Sequence, residues 1–493
     1  MFRAIENALL FAERTALVCG DRAYSYASLS LGAREFAGLL LNGRSDLEEG
    51  RIAFMVDPGF EYVKVQWAIW QAGAVAVPMC ITHPFPSLQY VLEDTGAETV
   101  VASVRYIPML EAYCAQQGLR LLSAEAEVSG EDVALPHVED GRMAMILYTS
   151  GTTSKPKGVV TTHANLNAQV STLIGAWRWH RDDQILCVLP LHHVHGIVNV
   201  VCCALNSGAC CRFLPDFSGE AVFRIFLEGR LSVFMAVPTI FFKLIAYWDT
   251  LSEADADRVS RAMRAFRLMV SGSAALPVAV MERWKAISGH SLLERYGMTE
   301  IGMAISNPYE GERRPGHVGM PLPGVGVRIA DEQGLPVPEG EPGEILVRGD
   351  NVFTRYWNRP EATQEAFTAD GWFRTGDIAV VDDGYIRIMG RNSVDIIKSG
   401  GYKVSALEIE EVLRTHPGVK DCAVVAIPDD EWGERIVAAL VTDMPGPEPA
   451  DLDRWMRTQM ASYKVPRRYL NVEELPRNAM GKVLKAEVKQ LFS

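Results

Sequence analysis

Between residues 144 and 288, short apolar runs with β character alternate with helical patterns, and this alternation restricts the chain to a layered α/β architecture. AMILYTS, ending at Ser150, precedes the helix-like ANLNAQVSTLIGAW from Ala164; SVFMAVPT precedes IFFKLIAYW; FRLMVSGS precedes a helical pattern over 277–288. No fixed-period repeat is present, which excludes a solenoid. From about residue 314 the texture changes to short strands between Gly, Pro and Asp turns, in RPGHVGMPLPGVGVRI, LPVPEGEPGEILVRG and DGWFRTGDIAVVDDGYIRIMG. They predict a β-rich subdomain over about 314–390. After Gly390 the helix-like ALEIEEVLRTH, the strands DCAVVAIP and RIVAALVTD, and a helix around 449–461 predict a compact α+β module. The expected organisation of the 493 residues is a large N-terminal domain over 1–390 and a small C-terminal domain over 391–493.

Charge narrows the function classes. The net charge of −13 argues against nucleic-acid and anionic-membrane partners, which need a positive field, so an anionic substrate requires a local basic pocket. With 48% hydrophobic and 22% charged residues, the composition excludes disorder and coiled coil. The nine cysteines form no CxxC pair, and Cys202, Cys203, Cys210 and Cys211 sit in an apolar run where thiols act as small hydrophobes. A reducing cytoplasm is the expected compartment. Glu6 and Glu13 interrupt the apolar N-terminal pattern, so no targeting signal is expected there. Asn199, Asn206 and Pro238 break the most apolar stretches, 197–211 and 231–246, so no integral membrane association is expected.

One loop carries phosphate chemistry. Directly after an apolar strand come Tyr148-Thr149-Ser150-Gly151-Thr152-Thr153-Ser154-Lys155-Pro156-Lys157-Gly158. Hydroxyls, glycines and two lysines in so short a stretch can surround phosphate oxygens with backbone N–H groups, side-chain donors and positive charge. A P-loop is excluded by spacing, because its second glycine would fall at Pro156.

This loop resembles the phosphate-binding signature of the adenylate-forming superfamily: acyl-CoA synthetases, luciferases and peptide-synthetase adenylation domains. Further signatures follow in order: His192-His193-Val194-His195-Gly196, Tyr296-Gly297-Met298-Thr299-Glu300, Trp372-Phe373-Arg374-Thr375-Gly376-Asp377, Gly390-Arg391, and Pro476-Arg477-Asn478-Ala479-Met480-Gly481-Lys482. The resemblance spans about 148–485. It implies ATP and CoA as co-substrates and Mg²⁺ as cofactor. Thr149, Ser150, Gly151, Thr152, Thr153, Lys157, Tyr296 and Gly297 would then bind ATP, with Thr299 on the α-phosphate and Glu300 on the metal. Asp377 would accept hydrogen bonds from the ribose hydroxyls, and Arg391 would reach the same sugar. Lys482 matches the catalytic lysine of a small mobile domain, bridging carboxylate and α-phosphate; its acetylation would remove that charge. In a second orientation Ser399, Gly400, Gly401 and Tyr402 would approach the CoA thiol. Two positions depart from the pattern: Ser154 stands where a glycine is usual, and the stretch after Gly390 is one residue longer, leaving the hinge within 392–395.

Arg295 bears on the acid. Relatives that take fatty or aromatic acids carry glycine before YGMTE, whereas a buried arginine is costly unless the substrate brings a second carboxylate. With HHVHG, VPTIFFKL, SGSAALP and SNPYEGERRPGHVG, the chain resembles the malonyl-CoA synthetase branch, of the acyl-CoA synthetase family member 3 type. Malonate or methylmalonate is the expected acid and Arg295 the first candidate for its distal carboxylate. Lys243 reads either as a second such candidate or as a surface lysine. His193 and His195 read as lining the acyl or thiol path or as structural histidines. The alternatives are a ligase for medium-chain, aryl or longer dicarboxylic acids, with Arg295 in an internal ion pair, and a non-catalytic nucleotide-binding regulator.

Overall fold

The computed structural model describes residues 1–127, 133–149, 155–399, 402–429, 432–442, 446–478 and 481–492. The predicted alternation folds into two mainly parallel sheets flanked by helices. The nine-stranded sheet places Leu268–Ser271 between Val233–Ala236 and Leu293–Met298, all parallel. Val233–Ala236 and Leu268–Ser271 are buried along their whole length, which explains their continuous apolar runs: helices cover both faces. In the seven-stranded sheet Met143–Thr149 pairs antiparallel with Lys157–Thr162, the strands that flank 150–156 in sequence.

Local signals account for the helix starts. Thr162 and Asn165 form a reciprocal capping box at the helix His163–Ala176, and Pro238 opens the helix Pro238–Trp248 at its first position. The segment His195–Cys202 is a buried π-helix that carries the last histidine of HHVHG. Its wider turn is a form found mostly at functional sites.

The β-rich stretch forms a four-stranded antiparallel sheet in which Phe373–Asp382 pairs with Tyr385–Arg391. A five-stranded sheet then begins at Ile396–Ser399; its core is Val419–Asp429 paired with Gly433–Thr442. The helix Ala406–Arg414 packs on that pair through Ile409 and Leu413. All nine cysteines are free, and Cys202, Cys203 and Cys211 are buried, where desolvation pushes their thiols up. Among the described residues no helix is long and apolar enough to cross a membrane.

Candidate functional site

The parallel strands of the nine-stranded sheet end in loops on one side, where α/β sheets bind ligands. Strand Leu293–Met298 delivers Arg295, Tyr296 and Gly297, and the turn after it holds Thr299 and Glu300. The four-stranded sheet meets it there. Tyr296 donates its hydroxyl hydrogen to Asp377 Oδ2 at 2.6 Å, and Arg391 Nε lies 3.0 Å from Asp377 Oδ1. Asp377 and Arg391 are direct partners across neighbouring strands, so the register sets their distance. Residues 81 and 14 positions away in sequence thus converge on one buried carboxylate.

Glu300 is 5% exposed and accepts a hydrogen bond from Tyr356 at 2.9 Å. Burial raises its pKa, while Tyr356, Arg391 and Lys157 favour the ionised form. Lys157 lies over the Tyr356 ring, 4.9 Å from its centre. Tyr356 escaped the sequence reading because no motif or period marks RYW; only pairing of Arg355–Tyr356 with Lys157–Thr162 brings it here. Among the described residues no group of three or more His, Cys, Asp or Glu side chains could hold a metal ion. Glu300 is a single hard oxygen donor in a desolvated place, the donor type that suits a Mg²⁺ ion held largely by phosphate oxygens and water. Thr149 is paired with Lys157, whereas Ser150, Gly151, Thr152 and Thr153 lie outside the described residues.

Behind this cluster lies a buried cation. Arg295 is 2% exposed, and its Nε and Nη2 have no hydrogen-bond partner among the described residues. Gly272, at the end of the neighbouring strand, makes room for it: a Cβ there would lie 2.6 Å from the guanidinium carbon. Burial pushes the Arg295 pKa down to about 9, with Glu294 opposing, so the group is charged at neutral pH. Ser273, held at φ 73°, places its hydroxyl 3.2 Å from His195 Nδ1; the His195 Nε2 is buried without a partner among the described residues. Burial and the nearby Arg295 charge keep His195 neutral. This buried cluster therefore brings together one hydroxyl, one imidazole and one cation without an ion pair among the described residues. Gly272 and Ser273 were not singled out from sequence, although SGS directly behind an apolar strand is a turn signal.

His193 is half-buried and packs against His192 with the rings tilted by 50° and their centres 4.1 Å apart; burial lowers its pKa to about 3. Of the two readings of Lys243, the structure supports the surface lysine and not the acyl-pocket residue. It is exposed, 5.9 Å from the Phe217 ring centre, because Phe241, Leu244 and Ile245 take the inward face of its helix.

After Arg391 the chain turns sharply. Asp395 Oδ2 accepts the Arg391 N–H at 3.0 Å, while Asp395 Oδ1 pairs with Lys485 at 2.6 Å. Gly390, at φ 123°, permits this, since a Cβ there would lie 2.4 Å from that of Asp395. Lys482 is exposed on a turn tied by Asn478, whose Oδ1 accepts the Lys482 N–H at 2.9 Å. The neighbouring Gly481 faces Thr239, at the start of the helix Pro238–Trp248. Ser399 is buried and Tyr402 is exposed, stacked on Tyr463 with ring centres 4.3 Å apart; Gly400 and Gly401 lie outside the described residues.

Residues 6–357 match the family model described as AMP-binding enzyme, and residues 408–482 match AMP-binding enzyme C-terminal domain. The chain is 46% identical to a Homo sapiens protein named malonate–CoA ligase ACSF3, mitochondrial, covering 99% of this chain and 91% of the relative. ATP-bound MatB from Rhodopseudomonas palustris superposes with a TM-score of 0.91 at 33% identity, covering 100% of this chain and 99% of that one. A malonyl-CoA ligase ternary product complex with methylmalonyl-CoA and AMP is 38% identical, covering 97% of this chain and 100% of that one, yet gives a TM-score of 0.71. Similarity of sequence and similarity of overall arrangement therefore run in opposite directions between these two neighbours.

Strand Leu293–Met298 also carries a titratable group on its other face. Glu294 is buried, with Oε1 accepting the Leu276 N–H at 3.2 Å; burial, then the charge of Glu411, push its pKa up to about 8, against the pull of that hydrogen bond and of Arg295. Unfolded, the carboxyl titrates near 4.3. The native state therefore keeps a proton that the unfolded chain gives up, and stability from this group is full below about 4.3 and is lost as pH rises towards about 8. Glu294→Gln removes that dependence. Its thermal midpoint relative to the parent is expected to rise between pH 5 and pH 8 in matched scans; a difference constant with pH would show ordinary ionisation of Glu294.

Proposed function

The chain belongs to the AMP-binding enzyme family, and on that premise we propose that it is an ATP-dependent acid–CoA ligase whose acid is malonate. Malonate, ATP and CoA give malonyl-CoA, AMP and pyrophosphate. The observation that carries the choice of acid is Arg295, a buried guanidinium with two partnerless nitrogens. The distal carboxylate of a short diacid supplies the missing charge, while Ser273 and His195 add polar groups beside it. A medium-chain or aryl monocarboxylate would leave Arg295 facing an apolar tail. An internal ion pair for Arg295, the premise of that alternative, is absent among the described residues. Methylmalonate differs by one methyl group and remains within the same reading.

In the first step a malonate carboxylate oxygen attacks the α-phosphorus of ATP, the bond to the bridging oxygen breaks, and pyrophosphate leaves. In the second, the CoA thiol gives up its proton, its sulfur attacks the acyl carbon, and AMP leaves. Both steps gather negative charge, so fixed donors and cations are the main catalytic resource. In our reading Lys157 and the 149–153 loop hold the phosphates, Thr299 donates to the α-phosphate, and Tyr296 with Gly297 borders the adenine. Asp377, oriented by Tyr296 and Arg391, accepts from the ribose hydroxyls. Glu300 would hold Mg²⁺, which supplies charge neutralisation at the phosphates.

Lys482 stands on an exposed turn whose neighbouring Gly481 lies beside Thr239, at the start of the helix Pro238–Trp248. The nearer fit to ATP-bound MatB supports this as the adenylate-forming orientation. We take the boundary between the domains at about 390, with the hinge in 392–395. Rotation there would exchange Lys482 for Ser399, Gly400, Gly401 and Tyr402 on the thiol path. Nine free cysteines suit a reducing compartment; within that class we place the protein in the cytoplasm, whereas the human relative is named mitochondrial.

Arg295→Ala tests the acid. A charge-assisted pair contributes about 1.5–3 kcal/mol, so kcat/KM for malonate is expected to fall about ten- to a hundred-fold. Butyrate should be unaffected or improved. Equal losses for both acids would make Arg295 structural and favour a general acyl-CoA ligase.

Lys482→Ala is expected to abolish malonate-dependent ATP–pyrophosphate exchange while sparing thioester formation from supplied malonyl-adenylate. Loss of both would place the lysine in both steps or in folding. Acetylation of Lys482 should act like the alanine substitution; full turnover by quantitatively acetylated protein would dismiss that regulation.

A further inference from the structure

A helix start without a local side-chain cap must find its acceptors elsewhere. The helix Val278–Ser288 begins behind Pro277, whose ring offers no side-chain acceptor to the first-turn N–H groups. The acceptor comes from the C-terminal lobe: Glu411, on the helix Ala406–Arg414, places Oε1 2.9 Å from the Val278 nitrogen. A carboxylate there also meets the positive end of the helix dipole. Glu294, the acid that feels the Glu411 charge, is kept protonated at neutral pH by burial and does not repel it.

The capped helix is continuous with the acyl pocket. Its leading loop holds Ser273 against His195 and gives the Leu276 N–H to Glu294. The preceding strand, Leu268–Ser271, is the immediate neighbour of Val233–Ala236, whose following helix starts at the Gly481–Thr239 contact. The lobe therefore touches the starts of two helices that follow adjacent parallel strands.

We propose that Glu411 is a positioning residue, which caps the Val278 helix in the adenylate-forming orientation alone and so holds Lys482 towards the acyl pocket. This deepens the two-orientation reading above and rests on it. When the lobe turns away, the first turn of the helix returns to water.

The test uses the full chain with Glu411→Ala and Glu411→Gln. Acid-dependent ATP–pyrophosphate exchange is expected to slow about two- to thirty-fold in Glu411→Ala, the range of a lost helix cap. The loss should be smaller in Glu411→Gln, which keeps an acceptor but not the charge. Thioester formation from supplied malonyl-adenylate should stay within about twofold of the parent. Amide hydrogen exchange at 278–281, read with ATP and no acid, should accelerate in Glu411→Ala. Unchanged amide exchange there would overturn the cap. Equal loss in both half-reactions with a lower thermal midpoint would make Glu411 merely structural. The amide measurement needs no malonate, so a parent inactive towards malonate would defeat the choice of acid while the cap is still decided.

Discussion

The carboxylate of Asp377 is the point on which the site is assembled. It is buried, so its charge must be met, and it is met by Tyr296 from the nine-stranded sheet and by Arg391 from the neighbouring strand of its own sheet. These contacts register two separately folded sheets against each other within hydrogen-bonding tolerance. Everything beyond inherits that registration. Arg391 is also the last residue before the turn at Asp395, which ties the backbone N–H of Arg391 to Lys485 of the C-terminal lobe. The carboxylate thus sits between the body of the protein and the lobe that bears Lys482.

The second constraint is electrostatic. Arg295 and Glu294 are adjacent on one strand and both buried, and each is displaced from its ordinary titration by desolvation. The acid responds by keeping its proton, which a carboxyl can do at modest cost. The guanidinium has no such escape at neutral pH. A buried cation that cannot neutralise itself is a source of selectivity: its desolvation is offset only when an anion enters.

Much of this was legible from the chain. VFMA and the first three residues of LMVS are apolar throughout because both faces of their strands are covered, and that made their strand character legible. The signature residues were legible because they cluster locally, as in YGMTE. What stayed hidden was whatever depends on register between distant strands: Tyr356 on Glu300, Gly272 beneath Arg295, and Glu411 on Val278. Lys243 was left between two readings that the sequence could have separated. Phe241, Leu244 and Ile245 recur at helical spacing, and that period alone turns position 243 outward.

The π-helix His195–Cys202 bears on how the pocket can change over time. Within it His195 meets Ser273 while Cys202, and Cys203 and Leu205 just beyond it, stay in the core. Deleting a single residue from it would restore the ordinary period and shift the two ends by about 100° relative to each other. Either the imidazole or the apolar residues would then face the wrong way. Length in this segment is therefore a constraint in its own right, beside the identity of its side chains.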